Sequence, residues 1–217
     1  MADFATRRTM MVDTQVRPSD VTKFPIIDAM LRIPREDFVA SSQREAAYMS
    51  DNIDLGDGRV VVEPRTLAKI LDAVDIQPNE LVLDIGMAYG YSSAVMACMA
   101  EAVVAVEEDA SFAKDAQDAF GEHHADNVIV HVGPLNAGAA EHAPFDVIVL
   151  QGGVAHIPSE VLDQLKDGGR IAAIFMTGAL GEVRIGYKRD GQISWRMVFN
   201  ATAPIMPGFE QESAFAL

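Results

Sequence analysis

From residue 80 onward, short apolar runs alternate with amphipathic stretches. The pattern predicts strands over 81–86, 102–107, 128–132, 145–150 and 170–176, and helices over 91–100, 110–121 and 158–166. Runs as apolar as Leu81-Val-Leu-Asp-Ile85 and Ala102-Val-Val-Ala-Val106 suit strands buried on both faces. Strand–helix alternation predicts a parallel sheet wrapped on both sides. Beyond residue 180 the pattern changes to two extended stretches, 182–188 and 193–199, joined by Arg189-Asp-Gly-Gln192. Asp190-Gly191 is a hairpin signal. The expected fold is α/β, a Rossmann-like seven-stranded mostly parallel sheet with a C-terminal antiparallel hairpin.

The first 50 residues read as a helical cover. Val12, Val16, Val21, Ile26, Ile27, Met30 and Leu31 recur at loosely helical spacing, broken by Pro18 and Pro25. Gly56-Asp-Gly58 marks a turn, Val60-Val-Val62 a short extended run, and Pro64 its end. A helix follows over 66–74, with Leu67, Ile70, Leu71 and Val74 on one face. The connector Gln77-Pro78-Asn79 divides the chain into 1–78, cover and substrate-side loop, and 79–217, the core. Residues 204–217 read as an ordered coil tail.

One strand exit carries the candidate chemistry. After Leu81-Val-Leu-Asp-Ile85 come Gly86, Ala88 and Gly90, then a helix at once. Strand, small-residue loop and helix let a ligand approach backbone at a helix N-terminus. Glu107 ends the next apolar run, where a carboxylate accepts from both hydroxyls of a ribose. A dinucleotide fingerprint wants glycine where Tyr91 stands. The spacing Asp84, Gly86, Ala88, Gly90 instead resembles the first motif of S-adenosylmethionine-dependent methyltransferases. A ligand-free tight turn is the alternative.

Composition narrows the partners. In 217 residues the formal net charge is −15, which argues against nucleic acid and anionic membrane surfaces as partners. Cys98, the single cysteine, lies in an apolar helical stretch and reads as core. No run reaches membrane-span length and no signal peptide is evident, so a cytoplasmic location is expected. His123 and His124 are adjacent, poor geometry for one ion, and no metal site is expected.

Several further pieces, in order, are similar to the protein-L-isoaspartate O-methyltransferase family. They are Ile33-Pro-Arg-Glu-Asp-Phe38, Ala47-Tyr48, Leu55-Gly-Asp-Gly58 with Pro64, Val82-Leu-Asp-Ile-Gly86 with Gly90-Tyr91, Ala143-Pro-Phe-Asp146, Ile157-Pro158 and Gln164-Leu-Lys-Asp-Gly-Gly169. The resemblance implies S-adenosylmethionine as cofactor, S-adenosylhomocysteine as product, and methylation of a protein or peptide carboxylate in protein repair. It implies a cofactor site of Asp84, Gly86, Ala88, Gly90, Tyr91, Glu107, Glu108 and Leu135, with Asp84 orienting the loop or the cofactor's amino group and Glu107 holding the ribose.

The chain departs from that family where substrate is handled. The family's Thr-Ile-Ser, whose serine contacts the acceptor carboxylate, is Val60-Val61-Val62 here, and valine donates no hydrogen bond. Gly-Asp-Gly after the third strand becomes Gly133-Pro134-Leu135, leaving Leu135 to line an adenine pocket by shape. Thr-Ala-Ala after the fourth becomes Gln151-Gly-Gly153. Acceptor-side candidates are Val62; Gln151, with a solvent-facing loop amide as the alternative; and His156, a base for a hydroxyl or amine acceptor or else a surface histidine. Arg59 and Glu63 flank the valines, either salt-bridged or facing solvent. Three functions stand open: repair methyltransferase, same-fold methyltransferase with a different or small-molecule acceptor, and non-catalytic descendant binding cofactor or partner.

Overall fold

The computed structural model describes residues 3–211. Seven strands form the main sheet: β3 (Leu81–Ile85), β4 (Ala102–Glu107), β5 (Val128–Val132), β6 (Phe145–Val154), β7 (Leu165–Thr177), β8 (Leu180–Arg189) and β9 (Gln192–Asn200), in the order β5-β4-β3-β6-β7-β8-β9. The first five pair parallel, and β7, β8 and β9 pair antiparallel. A separate two-stranded hairpin precedes them, β1 (Ile53–Gly56) with β2 (Arg59–Val61). Only β2 is signalled by its valines; β1 carries Asp54 and Gly56, which lack β-branching.

Among the described residues six α-helices complete the layout: α1 (Phe4–Met11), α2 (Phe24–Arg32), α3 (Pro64–Val74), α4 (Tyr91–Ala97), α5 (Ala110–Glu122) and α6 (Ser159–Asp163). Asp3 caps α1, accepting from the Thr6 amide at 2.7 Å, and Asp109 caps α5 through the Ser111 and Phe112 amides. The chain between α1 and α2 stays helical through a π turn and a 3₁₀ turn before Asp20 ends it at φ 64°. The last expected helix, 158–166, is cut to five residues because the chain is recruited to β7 from Leu165.

Alternate residues of the central strands enter two different cores, as strand periodicity requires. Val82, Val103, Val147 and Val149 face a thick layer built from α3, α4, α5 and the N-terminal cover. Leu83, Ile85, Val104, Ile148 and Leu150 face a thin layer of α6, Leu135 and two residues of the C-terminal segment, Met206 and Phe209. Cover and core thus share one buried cluster across the expected boundary at 78. Arg170 on β7 ties the connector down, donating to Glu80 at 2.7 Å and to the carbonyls of Val74 and Asp75.

Candidate functional site

The carboxyl ends of β3, β4 and β6 converge on the loop 86–90. Gly86 adopts φ 82° and Gly90 φ 90°; Ala88 takes φ 50°, which costs an alanine about 1 kcal/mol. Four of the loop's five amides are spent inside the protein. Gly86 and Met87 donate to the Val106 carbonyl, Gly90 to Met87, and Ala88 to Glu107 Oε2 at 2.8 Å.

Glu107 is fully buried, and its two oxygens accept from five N–H groups. Three are the amides of Ala88, Glu108 and Asp109. The other two belong to Arg59, whose Nη1 and Nη2 lie 2.7 and 2.5 Å from Oε1 and Oε2. Arg59 leaves β2 beside the valines and is itself 4 % exposed. This end-on, bidentate guanidinium–carboxylate pair engages both carboxylate oxygens, the acceptors that a ribose diol would use. Glu107, expected to hold a ribose, has its acceptor capacity filled by the chain's own cation. Glu108 sits at the edge, 3.9 Å from Arg59 Nη1, and burial raises its pKa.

Met206 fills the space beside this pair. A Cβ built on Gly86 would come 2.9 Å from Met206 Sδ, 3.5 Å from Arg59 Nη2 and 3.9 Å from Leu135 Cδ1. A Cβ on Gly152 would come 2.8 Å from the same sulfur. Leu135 does line the crevice, 1 % exposed, but it packs in one cluster with Met206 and Phe209. The crevice expected to take a nucleoside is therefore filled by Arg59, Leu135 and Met206. An adenosyl group does not fit this arrangement.

The other expected cofactor residues make contacts within the scaffold. Asp84 accepts from Ser92 and Ser93 hydroxyls at 2.6 Å each and from Gln151 Nε2 at 2.7 Å, fastening the start of α4 to β3 and β6. Burial pushes Asp84 up to about 6, against the pull of those three hydrogen bonds. Gln151 is thus a buried strand residue, not a solvent-facing loop amide. Gly90 faces α5, where a Cβ would strike Phe120 at 2.5 Å. Tyr91 turns to the N-terminal cover, edge-on to Phe38 and 4.7 Å beneath the Arg35 guanidinium. Burial raises its phenol to about 12.

On the acceptor side, Val60, Val61 and Val62 are buried and border a cavity of about 10 Å³, with Arg35, Tyr91 and Gln151 on its other walls. That holds one water at most. Arg35 is fully buried and donates to the carbonyls of Ala47, Val61 and Val62; burial lowers its pKa. Its Nη1 and the Tyr91 hydroxyl have no partner among the described residues. His156 lies apart. It is exposed, borders an outer groove with Asn136 and Glu160, and its Nδ1 is 3.3 Å from the Glu210 carbonyl.

Residues 7–198 match the family model described as protein-L-isoaspartate (D-aspartate) O-methyltransferase. The chain belongs to that family. Relatives carrying the enzyme's name include one from Syntrophus aciditrophicus, 36 % identical over 79 % of this chain and 78 % of its own length. Another, from Koribacter versatilis, is 30 % identical over 89 % and 87 %. A solved protein-L-isoaspartate O-methyltransferase superposes with a TM-score of 0.81 at 25 % identity, covering 93 % of this chain and 66 % of the other. A proposed member from Plasmodium falciparum, solved with S-adenosyl-L-homocysteine, shares the fold at TM-score 0.78 and 15 % identity, over 95 % and 99 %. Within this family of S-adenosylmethionine-dependent methyltransferases, the chain keeps the strand–loop–helix frame and the acidic strand end. Sequence reasoning leaves Arg59 open between salt bridge and solvent without naming Glu107 as its partner, and it misses Met206. A cation abutting three valines is the visible signal for the first; nothing in the coil-like tail points to the second.

Proposed function

We propose that the chain is an S-adenosylmethionine-dependent O-methyltransferase of this family, acting on a carboxylate carried by a protein or peptide. The reading rests on the family match over 7–198 together with the loop 86–90 meeting Glu107 through the Ala88 amide. A carboxylate acceptor is ionised at neutral pH and needs no base, so the position of His156 outside the crevice does not count against it. What the protein must supply is alignment and exclusion of water. The closed crevice does not admit the donor, so transfer belongs to a form in which Arg59 and Met206 have withdrawn.

Magnitudes bound that form. Breaking a buried ion pair costs about 3–5 kcal/mol, an upper bound here because Arg59 regains water on leaving. Exposing a methionine adds about 1.5–3 kcal/mol. Taken at their lower ends, these weaken donor binding by about a thousandfold. A donor of intrinsic micromolar affinity then binds only near millimolar concentration.

The test is methyl transfer to an isoaspartyl peptide beside its aspartyl twin at millimolar donor, read by mass. Selective gain of one methyl on the first supports repair activity. Background on both, at every donor concentration, leaves the second reading: a member of the family that no longer uses the cofactor. The Arg59–Glu107 pair is the observation that favours it. The buried valines weaken the case for isoaspartyl selectivity, since position 62 offers the acceptor no hydroxyl.

A further inference from the structure

The segment Ala203–Phe209 is held in place along the end of β6. Gly153 N donates to the Pro204 carbonyl at 2.7 Å, Met206 N to the Gly153 carbonyl at 2.9 Å, and Ala155 N to the Phe209 carbonyl at 2.8 Å. Ile205 bridges Gly153 in parallel register. Met206 and Phe209 are fully buried. The receiving surface is shaped for this segment. A Cβ on Gly153 would come 2.5 Å from the Ala203 carbonyl, and Gly152 leaves room for the Met206 side chain. These glycines stand where the related family has Thr-Ala-Ala, and Leu135, which packs against Met206, stands where it has Gly-Asp-Gly. Arg59 reaches the same crevice, its Nη2 3.5 Å from the Cβ position of Gly86 that Met206 Sδ also approaches.

We propose that Arg59 and Met206 form an internal latch, with the C-terminal segment as the resident occupant of the methyl-donor crevice. The inference rests on the function proposed above and adds a condition to it. Donor and segment compete for one space, and affinity is reduced by the fraction of molecules that are open. Glu107 exchanges one set of donors, the guanidinium, for another, the ribose hydroxyls.

Calorimetry with S-adenosylhomocysteine on the full chain tests this, comparing the unaltered protein with Met206→Ala, Arg59→Gln and the double variant, each checked for folding by circular dichroism. Binding at least about a hundredfold tighter in a folded variant than in the parent is expected. Amide exchange gives a second readout. Ligand should speed exchange at Met206 and Gly153, whose bonds hold the segment. Equal affinity in parent and variants, with those amides unchanged, overturns the latch and leaves the methyltransferase reading standing. No binding by any folded variant overturns both.

A second cluster lies elsewhere. His131 on β5 and Glu141 and His142 before β6 bring one ligand atom each within 4.8 Å of one another. Glu141 Oε1 is 3.2 Å from His131 Nδ1 and 3.5 Å from His142 Nε2. Nitrogen and oxygen ligands about 2.0–2.2 Å from zinc in a tetrahedron are separated by about 3.3–3.5 Å. Two edges already match, and both histidines are half-buried while Glu141 is exposed. The geometry points to a zinc-class divalent metal site joining the end of β5 to the turn before β6. Titration with Zn²⁺, and with Co²⁺ for its tetrahedral visible spectrum, should show one equivalent bound and lost in His131→Ala and His142→Ala. Binding unchanged in both variants, or none in the parent, overturns it.

Discussion

Asp84 is a buried carboxylate whose hydrogen-bond donors, Ser92, Ser93 and Gln151, are all neutral. Its pKa of about 6 lies above the usual value of 3.8. Between those values the folded chain holds a proton that the unfolded chain has released. Stability from this group therefore falls as pH rises through that window, the reverse of an ion-paired aspartate. The difference in unfolding free energy between the parent and Asp84→Asn should shift by about 2 kcal/mol from pH 4 to pH 7, against the parent. A flat difference in denaturant titrations across that range sinks the assignment. For Glu107 the sequence places the carboxylate at its strand end but not its partner, because Arg59 lies 48 residues away on a different sheet. Arg59→Met strands a buried charge and should cost about 3–5 kcal/mol in urea unfolding. A loss below about 1 kcal/mol would show that the three backbone amides alone satisfy Glu107.

Among elements, the parallel strands are legible because burial on both faces writes them as apolar runs. Helix ends are less so. Gln164 closes α6 early, its side chain donating to the carbonyls of Ala137 and Glu160 and accepting from the Ala139 amide. The tail reads only as coil, and its residues 212–217 lie outside the described residues. Its pairing with Gly153 is made by backbone, which leaves no side-chain period to read. The glycines after Gln151 are visible in the sequence, but their purpose is not. Gly152→Ala presses on Met206, and overpacking there should cost about 1–3 kcal/mol by thermal or chemical unfolding. The same change at Gly178, whose added Cβ meets nothing within 4 Å, should show only the penalty of its φ of 61°.

At the scale of the molecule, ancestry and present use separate. Enough of the family's pieces survive in order to give the fold, while the departures at 133–135 and 151–153 meet at one crevice and that at 60–62 borders a separate cavity with Gln151. Each looks like a separate loss in the sequence; in space, Leu135 and Gly152 meet at Met206. Val62→Ser alone should not restore isoaspartyl selectivity, because Val60 and Val61 remain buried around a cavity of about 10 Å³. Robust selective methylation by that single variant, in the paired-peptide assay, would contradict this.

The side chain of Met206 in the crevice also bears on how such a protein should be screened. Ligands raise a melting temperature in proportion to the gain over what the empty site loses. A site that already holds part of its own chain surrenders that packing when a nucleoside enters, so the apparent dissociation constant rises and the shift stays small until the ligand concentration passes it. A thermal-shift plate run at micromolar nucleoside is expected to be blank, and the shift should emerge only as the nucleoside approaches millimolar concentration.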